Sequence, residues 1–154
     1  MLSETIESAY QSFCRTRFNL PTTTDISNFE TKLGLSLPND YRQFLREFNG
    51  GVFSDPDIVV ADPNCPEDCL TLLYGLSVVQ PSADLARPAN IAVFGPVGTR
   101  EVLPIGYTLM GNLLYVLVAG PERGIIGLKQ KSSDNYFHLA KGIEAFFAQL
   151  RPGS

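Results

Sequence analysis

Between Leu33 and Gly51 the chain reads LGLSLPNDYRQFLREFNGG, and this stretch constrains the fold more than any other. Gly34 stands where a helix wants a left-handed residue after its last turn. Pro38 opens the next helix, where its missing N–H costs nothing. Tyr41, Phe44, Leu45 and Phe48 then recur at i, i+3, i+4 and i+7. Asn49-Gly50-Gly51 stops that helix, because Asn and Gly accept positive φ with little strain. Upstream, Thr24 is the expected N-cap, Asp25 favours the helix dipole from the first turn, and Ile26, Phe29 and Leu33 share a face. The spacing predicts helices over 24–33 and 38–48.

Elsewhere the pattern splits in the same way. Leu2, Ile6, Ala9, Tyr10 and Phe13 predict an N-terminal helix over 3–16. After Gly51 the period changes to short β-like runs: DIVVA (57–61), LTLLYGL (70–76), NIAVFG (90–95), VLPIG (102–106), NLLYVLV (112–118) and GIIGL (124–128). The last two are joined by a short Gly-bearing connection, as in an antiparallel hairpin. Leu139, Ile143, Phe146, Phe147 and Leu150 predict a closing helix over 139–150, ended by Pro152-Gly153. Helices segregated from consecutive strands predict an α+β fold: a mainly antiparallel sheet of about five to six strands, with N-terminal helices and a C-terminal helix packed on it. With no repeat or linker, residues 1–154 are expected to form a single domain. Tyr41, Phe44, Leu45, Phe48, Phe146 and Leu150 are its expected core.

The chain has 154 residues, 44% of them hydrophobic and 18% charged, the balance of a globular protein. No apolar run approaches the ~20 residues of a membrane span, and MLSETIESAY is not built like a secretory signal, so a cytoplasmic protein is expected. Three cysteines, Cys14, Cys65 and Cys69, argue against a disulfide framework. Cys65 and Cys69 sit in PNCPEDC, but zinc wants four ligands and nothing near in sequence supplies two more. His138 is the one histidine, without an acid beside it in sequence, and a structural role is expected for it. FGPVGTRE (94–101) lacks both GK[ST] and GxGxxG, and Asp55, Asp57 and Asp62 miss the calcium-loop spacing. No catalytic residue, metal or cofactor is expected, and no enzyme.

Charge is the more informative quantity. The net charge is −4, yet from Glu47 to Ala86 there is no Lys or Arg, while Glu47, Asp55, Asp57, Asp62, Glu67, Asp68 and Asp84 all fall there. A single-sign region repels nucleic acid and attracts basic protein surfaces. No basic stripe with interleaved aromatics speaks for nucleic-acid binding.

The opening stretch, with its upstream helix, resembles the SUKH superfamily, which includes the fungal Smi/Knr-type cell-wall regulators. The residues that carry the likeness are Ile26, Phe29, Glu30, Leu33, Gly34, Leu37, Pro38, Asp40, Tyr41, Phe44, Leu45, Asn49, Gly50 and Gly51. More loosely, IAVFG, PIGYTLMGNLLYVLV and GIEAFFAQL resemble later segments of that family, so the likeness spans residues 24–150 and leaves 1–23 as an N-terminal helical extension. Many members carry an acid in the turn before the second strand of the middle segment; Tyr107, Thr108 and Leu109 stand there instead.

The resemblance implies a binding domain and no catalysis. Bacterial members are similar to immunity proteins that neutralise a cognate toxin; fungal members resemble interaction hubs that recruit cellular proteins. Both remain open at this point, with a protein partner of basic surface, no nucleic acid, no membrane, and a monomer or weak dimer. The expected partner surface is the base-free acidic region, with Asp55, Asp57, Asp62, Glu67 and Asp68 as steering charges and Tyr74 as an aromatic anchor.

Overall fold

The computed structural model describes residues 4–59, 63–87, 102–133 and 135–153. Helix α1 (Glu4–Phe13) runs directly into a short edge strand β1 (Cys14–Thr16). Helices α2 (Thr23–Leu33) and α3 (Asn39–Glu47) follow, then β2 (Gly51–Phe53), β3 (Asp57–Ile58), β4 (Asp68–Leu73), β5 (Val102–Thr108), β6 (Leu113–Leu117), β7 (Ile126–Lys129) and β8 (Tyr136–Ala140). Helix α4 (Ile143–Ala148) closes the chain. Among the described residues every strand pairing is antiparallel, in the order β1-β2-β4-β5-β6-β7-β8 with β3 added to β4, which makes eight described strands rather than five or six. The fold is α+β, as expected. The predicted strand at 90–95 lies outside the described residues.

Local signals placed the helices well. The N-cap of α2 is Thr22 rather than Thr24: its Oγ1 accepts from Asp25 N at 3.0 Å while its own N–H donates to Asp25 Oδ2 at 2.8 Å. This reciprocal pair satisfies two helix-end donors at once and so moves the start outward. Gly34 takes φ 75° at the C-cap. Two ends differ for non-local reasons. Residues 14–16 leave the predicted first helix because they pair with β2, Cys14 opposite Phe53 and Thr16 opposite Val52. Leu139 belongs to β8, since Phe137 and His138 pair with Leu128 and Gly127 of β7 and the extended Gly142 delays α4 to residue 143.

The helices cover one sheet face. Leu103 and Ile105 of β5, Leu114 and Val116 of β6, and Ile126 and Leu128 of β7 join the helices in one buried cluster. Tyr10, Phe44, Phe48, Phe53 and Phe147 meet within it, the Tyr10 and Phe48 rings 4.6 Å apart. Tyr41, Phe44, Leu45, Phe48, Phe146 and Leu150 are all buried, as the helical spacing predicts. Intervening residues Val102, Tyr115 and Leu117 form a smaller cluster of their own, consistent with the two-residue side-chain period of strands.

The Asn49-Gly50-Gly51 stop acts as more than an end signal. Asn49 is fully buried with φ 58°; its amide donates to Asn19 O at 2.7 Å and Leu76 O at 2.9 Å, and its Oδ1 accepts from Leu76 N at 2.8 Å. A Cβ on Gly50 would stand 2.4 Å from the Leu73 carbonyl oxygen, so only glycine fits the close approach of this turn to β4. Glu30 accepts from Leu37 N at 2.7 Å and Arg42 Nε at 3.1 Å, linking α2 to α3. Asp40 Oδ2 accepts from Ile143 N at 3.3 Å, so a carboxylate on α3 serves the start of α4, whose own cap residue is Gly142. The motif residues that carry the family likeness therefore hold the fold together.

Candidate functional site

The acidic region converges where the β3–β4 pair meets the β5–β6 turn. Asp57 stands opposite Cys69 and Ile58 opposite Asp68 in the ladder, and Leu109 N donates to Cys69 O at 2.9 Å from the neighbouring turn. Between these segments opens a groove of about 710 Å³. Its described lining combines the acids Asp57, Glu67 and Asp68 with Ile58, Val59 and the loop prolines, and with Leu109 and Met110 from the turn. No Lys or Arg stands among the described lining residues. Arg151 borders β3 through backbone hydrogen bonds to Asp57, but its guanidinium donates to the carbonyls of Ala148 and Leu150.

The acids hold different stations. Glu67 is exposed. Asp57 is partly buried and accepts from Cys69 Sγ at 3.2 Å. Asp55, with φ 57°, accepts from Thr71 Oγ1 at 2.7 Å. Asp68 is only 6% exposed, and its carboxylate is ringed by donors: Thr108 Oγ1 at 2.5 Å, Asn112 Nδ2 at 2.7 Å, Cys69 N at 2.8 Å and Met110 N at 3.1 Å. Its charge is directed into the protein, where it holds the β5–β6 turn. The carboxylate that the turn lacks in its own sequence thus reaches it from β4. Asp62 lies outside the described residues. Tyr74 is buried at the far end of β4, its ring 6.3 Å from Tyr107, and burial raises its phenol pKa. Six residue steps along the chain separate it from Asp68, roughly 20 Å at ~3.3 Å per step, and Tyr74 is not among the lining residues of the groove.

The cysteines add little nucleophilic character. Cys14, Cys65 and Cys69 are free thiols. Burial, then the hydrogen bond to Asp57, then the charges of Asp57, Asp68 and Asp55 push the Cys69 thiol up to about 11. It stays neutral at physiological pH, unlike an activated cysteine. Among the described residues, no three His, Cys, Asp or Glu side chains come together as a metal-binding group. His138 lies on β8, with Nδ1 3.5 Å from Glu122 Oε2 and nearly half of its side chain exposed.

The run of acids in the sequence does not mark the turn itself. Leu109 is 58% and Met110 66% exposed, two large apolar side chains at a hairpin tip where polar residues are the rule. Met110-Gly111-Asn112 is a turn signal in the sequence, and the apolar pair Leu109-Met110 running into it is the available hint.

Compared with known proteins, the chain matches the sequence model of the SMI1 / KNR4 family (SUKH-1) over residues 20–149. No curated protein and no solved structure shows a significant match to it. Among the described residues, no helix is long and apolar enough to cross a membrane.

Proposed function

The chain belongs to the SMI1 / KNR4 family (SUKH-1), and on that footing we propose that it is a non-catalytic protein-binding domain of the immunity type, which binds and neutralises a cognate toxin in the cytoplasm. The observation that carries the reading is the acidic groove, with no Lys or Arg among its described lining residues, at one end of the sheet. A groove of this kind suits a basic partner surface, such as the cleft of an enzyme that acts on nucleic acid. Asp55, Asp57 and Glu67, with Asp62 from the adjoining sequence, are the charges that would speed encounter; Asp68 would act through the turn that it holds.

The test starts with affinity capture on the full chain and identification of a stoichiometric partner. A toxin whose growth arrest is relieved by co-expression of this chain supports the reading. A non-toxic cellular protein in its place overturns it in favour of a regulatory scaffold. With the toxin in hand, Asp57→Lys/Glu67→Lys is expected to slow association at least tenfold at low salt and to flatten its salt dependence, with less change in dissociation. Equal rates and equal salt slopes for the parent and a folded variant move the interface away from the groove.

A further inference from the structure

Five large hydrophobic side chains are prominent on the described surface: Leu20, Val59, Val79, Leu109 and Met110. Three of them, Val59, Leu109 and Met110, line one groove, the acidic one. Scattered exposed apolar residues need no explanation, but a cluster inside a concavity does.

The turn that carries two of the three is built to stay in place. Thr108 N donates to Asn112 O at 3.0 Å and Gly111 N to Thr108 O at 3.0 Å, closing the hairpin. Asn112 N donates to Thr108 Oγ1 at 3.0 Å, and the Asp68 carboxylate accepts from both side chains and from Met110 N. On the other flank, Asn112 Oδ1 accepts from Lys131 N at 2.9 Å, tying the turn to the segment after β7. A buried carboxylate is costly to desolvate, and here it fixes a turn whose outward side chains are Leu109 and Met110. Apolar groups held rigidly before contact lose little entropy when a partner arrives, and the methionine can adapt its shape to what it meets.

We propose that Leu109 and Met110 are the apolar anchor of a docking groove whose occupant is a basic segment of a partner protein, carrying an apolar side chain between Lys or Arg residues. The proposal rests on the protein-binding reading above and specifies its partner chemistry. Charge complementarity selects the occupant: Asp57 and Glu67 border the apolar anchors, and no basic residue stands among the described lining. At about 710 Å³ the groove has room for several side chains rather than one. Charge would govern encounter, and the two anchors would govern lifetime.

The test pans a phage-displayed library of random dodecapeptides against the intact chain. Enriched peptides are expected to share an apolar residue flanked by Lys or Arg. A synthetic peptide of that sequence should shift the Met110 methyl resonance and bind more weakly as salt rises. Leu109→Ser/Met110→Ser should weaken it at least tenfold, on the scale of a central interface anchor. If that variant melts below the parent, Glu67→Lys, an exposed change on the groove, supplies the second readout and should also weaken binding. Failure to enrich any peptide, enrichment without basic residues, or equal binding by the folded variants overturns the proposal. So does a concentration-dependent dimer of the chain that the Ser variant abolishes, because a second copy is then the occupant. A toxin that binds the Ser variant as tightly as the parent sinks this inference and leaves the immunity reading standing. A basic peptide seated on the turn, in a chain that relieves no toxin, does the reverse.

Discussion

Replacing Asp68 by alanine tests whether one buried carboxylate holds the groove together. The substitution removes the acceptor for Thr108 Oγ1, Asn112 Nδ2 and Met110 N, along with the local bond from Cys69 N. Thr108 and Asn112 are 2% and 6% exposed, so their donors stay away from water, whereas Met110 is exposed and water can reach its amide. A buried donor left without a partner costs about 1–3 kcal/mol, and hydrogen bonds to a charged group contribute about 1.5–3 kcal/mol each. Part of that loss is offset because the carboxylate itself is no longer desolvated. We therefore expect Asp68→Ala to destabilise by about 3 kcal/mol, and Asp68→Asn, which keeps one acceptor oxygen, by about half as much. For a chain of this size about 3 kcal/mol lowers Tm by roughly 6–12 °C. With no tryptophan in the chain, urea unfolding followed by far-ultraviolet circular dichroism is the assay, with amide hydrogen exchange at Met110 as the local probe. The neighbouring Glu67→Ala is the control, expected within about 0.5 kcal/mol of the parent as an exposed change. An Asp68→Ala stability within about 1 kcal/mol of the parent, with Met110 exchange unchanged, would refute the idea that this carboxylate pins the turn.

The Tyr41 hydroxyl is buried and has no hydrogen-bond partner among the described residues. Tyr41→Phe is therefore expected to raise stability by about 1 kcal/mol; a lowered midpoint in the same urea assay would show that the hydroxyl is satisfied. Cys69, with its thiol pushed to about 11 from an ordinary 9.0, carries about a hundredfold less thiolate at pH 8. The higher intrinsic nucleophilicity of a more basic thiolate recovers part of that, so alkylation by iodoacetamide should run roughly tenfold slower than for free cysteine. The rate should climb as pH rises towards 11, since the raised pKa moves ionisation upward. Mass spectrometry of the modified peptide reads it, and a rate that levels off near pH 8 contradicts the assignment.

What the amino-acid order determined by itself was set by chemistry a few residues wide. Gly34 and Asn49-Gly50-Gly51 ended helices because positive φ depends on the residue type at the position, and the apolar periods of α2 and α3 were visible within single turns. The α+β class followed from the change of period after Gly51. Tertiary structure decided matters that depend on distant partners. Strands β1 and β2, three residues each, carry too little pattern to be read alone and exist because they pair with each other and β2 with β4. Residues 136–140 became a strand because β7 offered a ladder, although Leu139 fits the helical spacing of the residues after it. The candidate site divides in the same way. The sequence displayed the run of acids, yet only the fold sorted them, leaving Glu67 in solvent and turning Asp68 inward to Thr108, forty residues away. Tyr74 was buried beside Tyr107, while Leu109 and Met110 were exposed, because which face a strand or turn presents is fixed by its partners across the sheet.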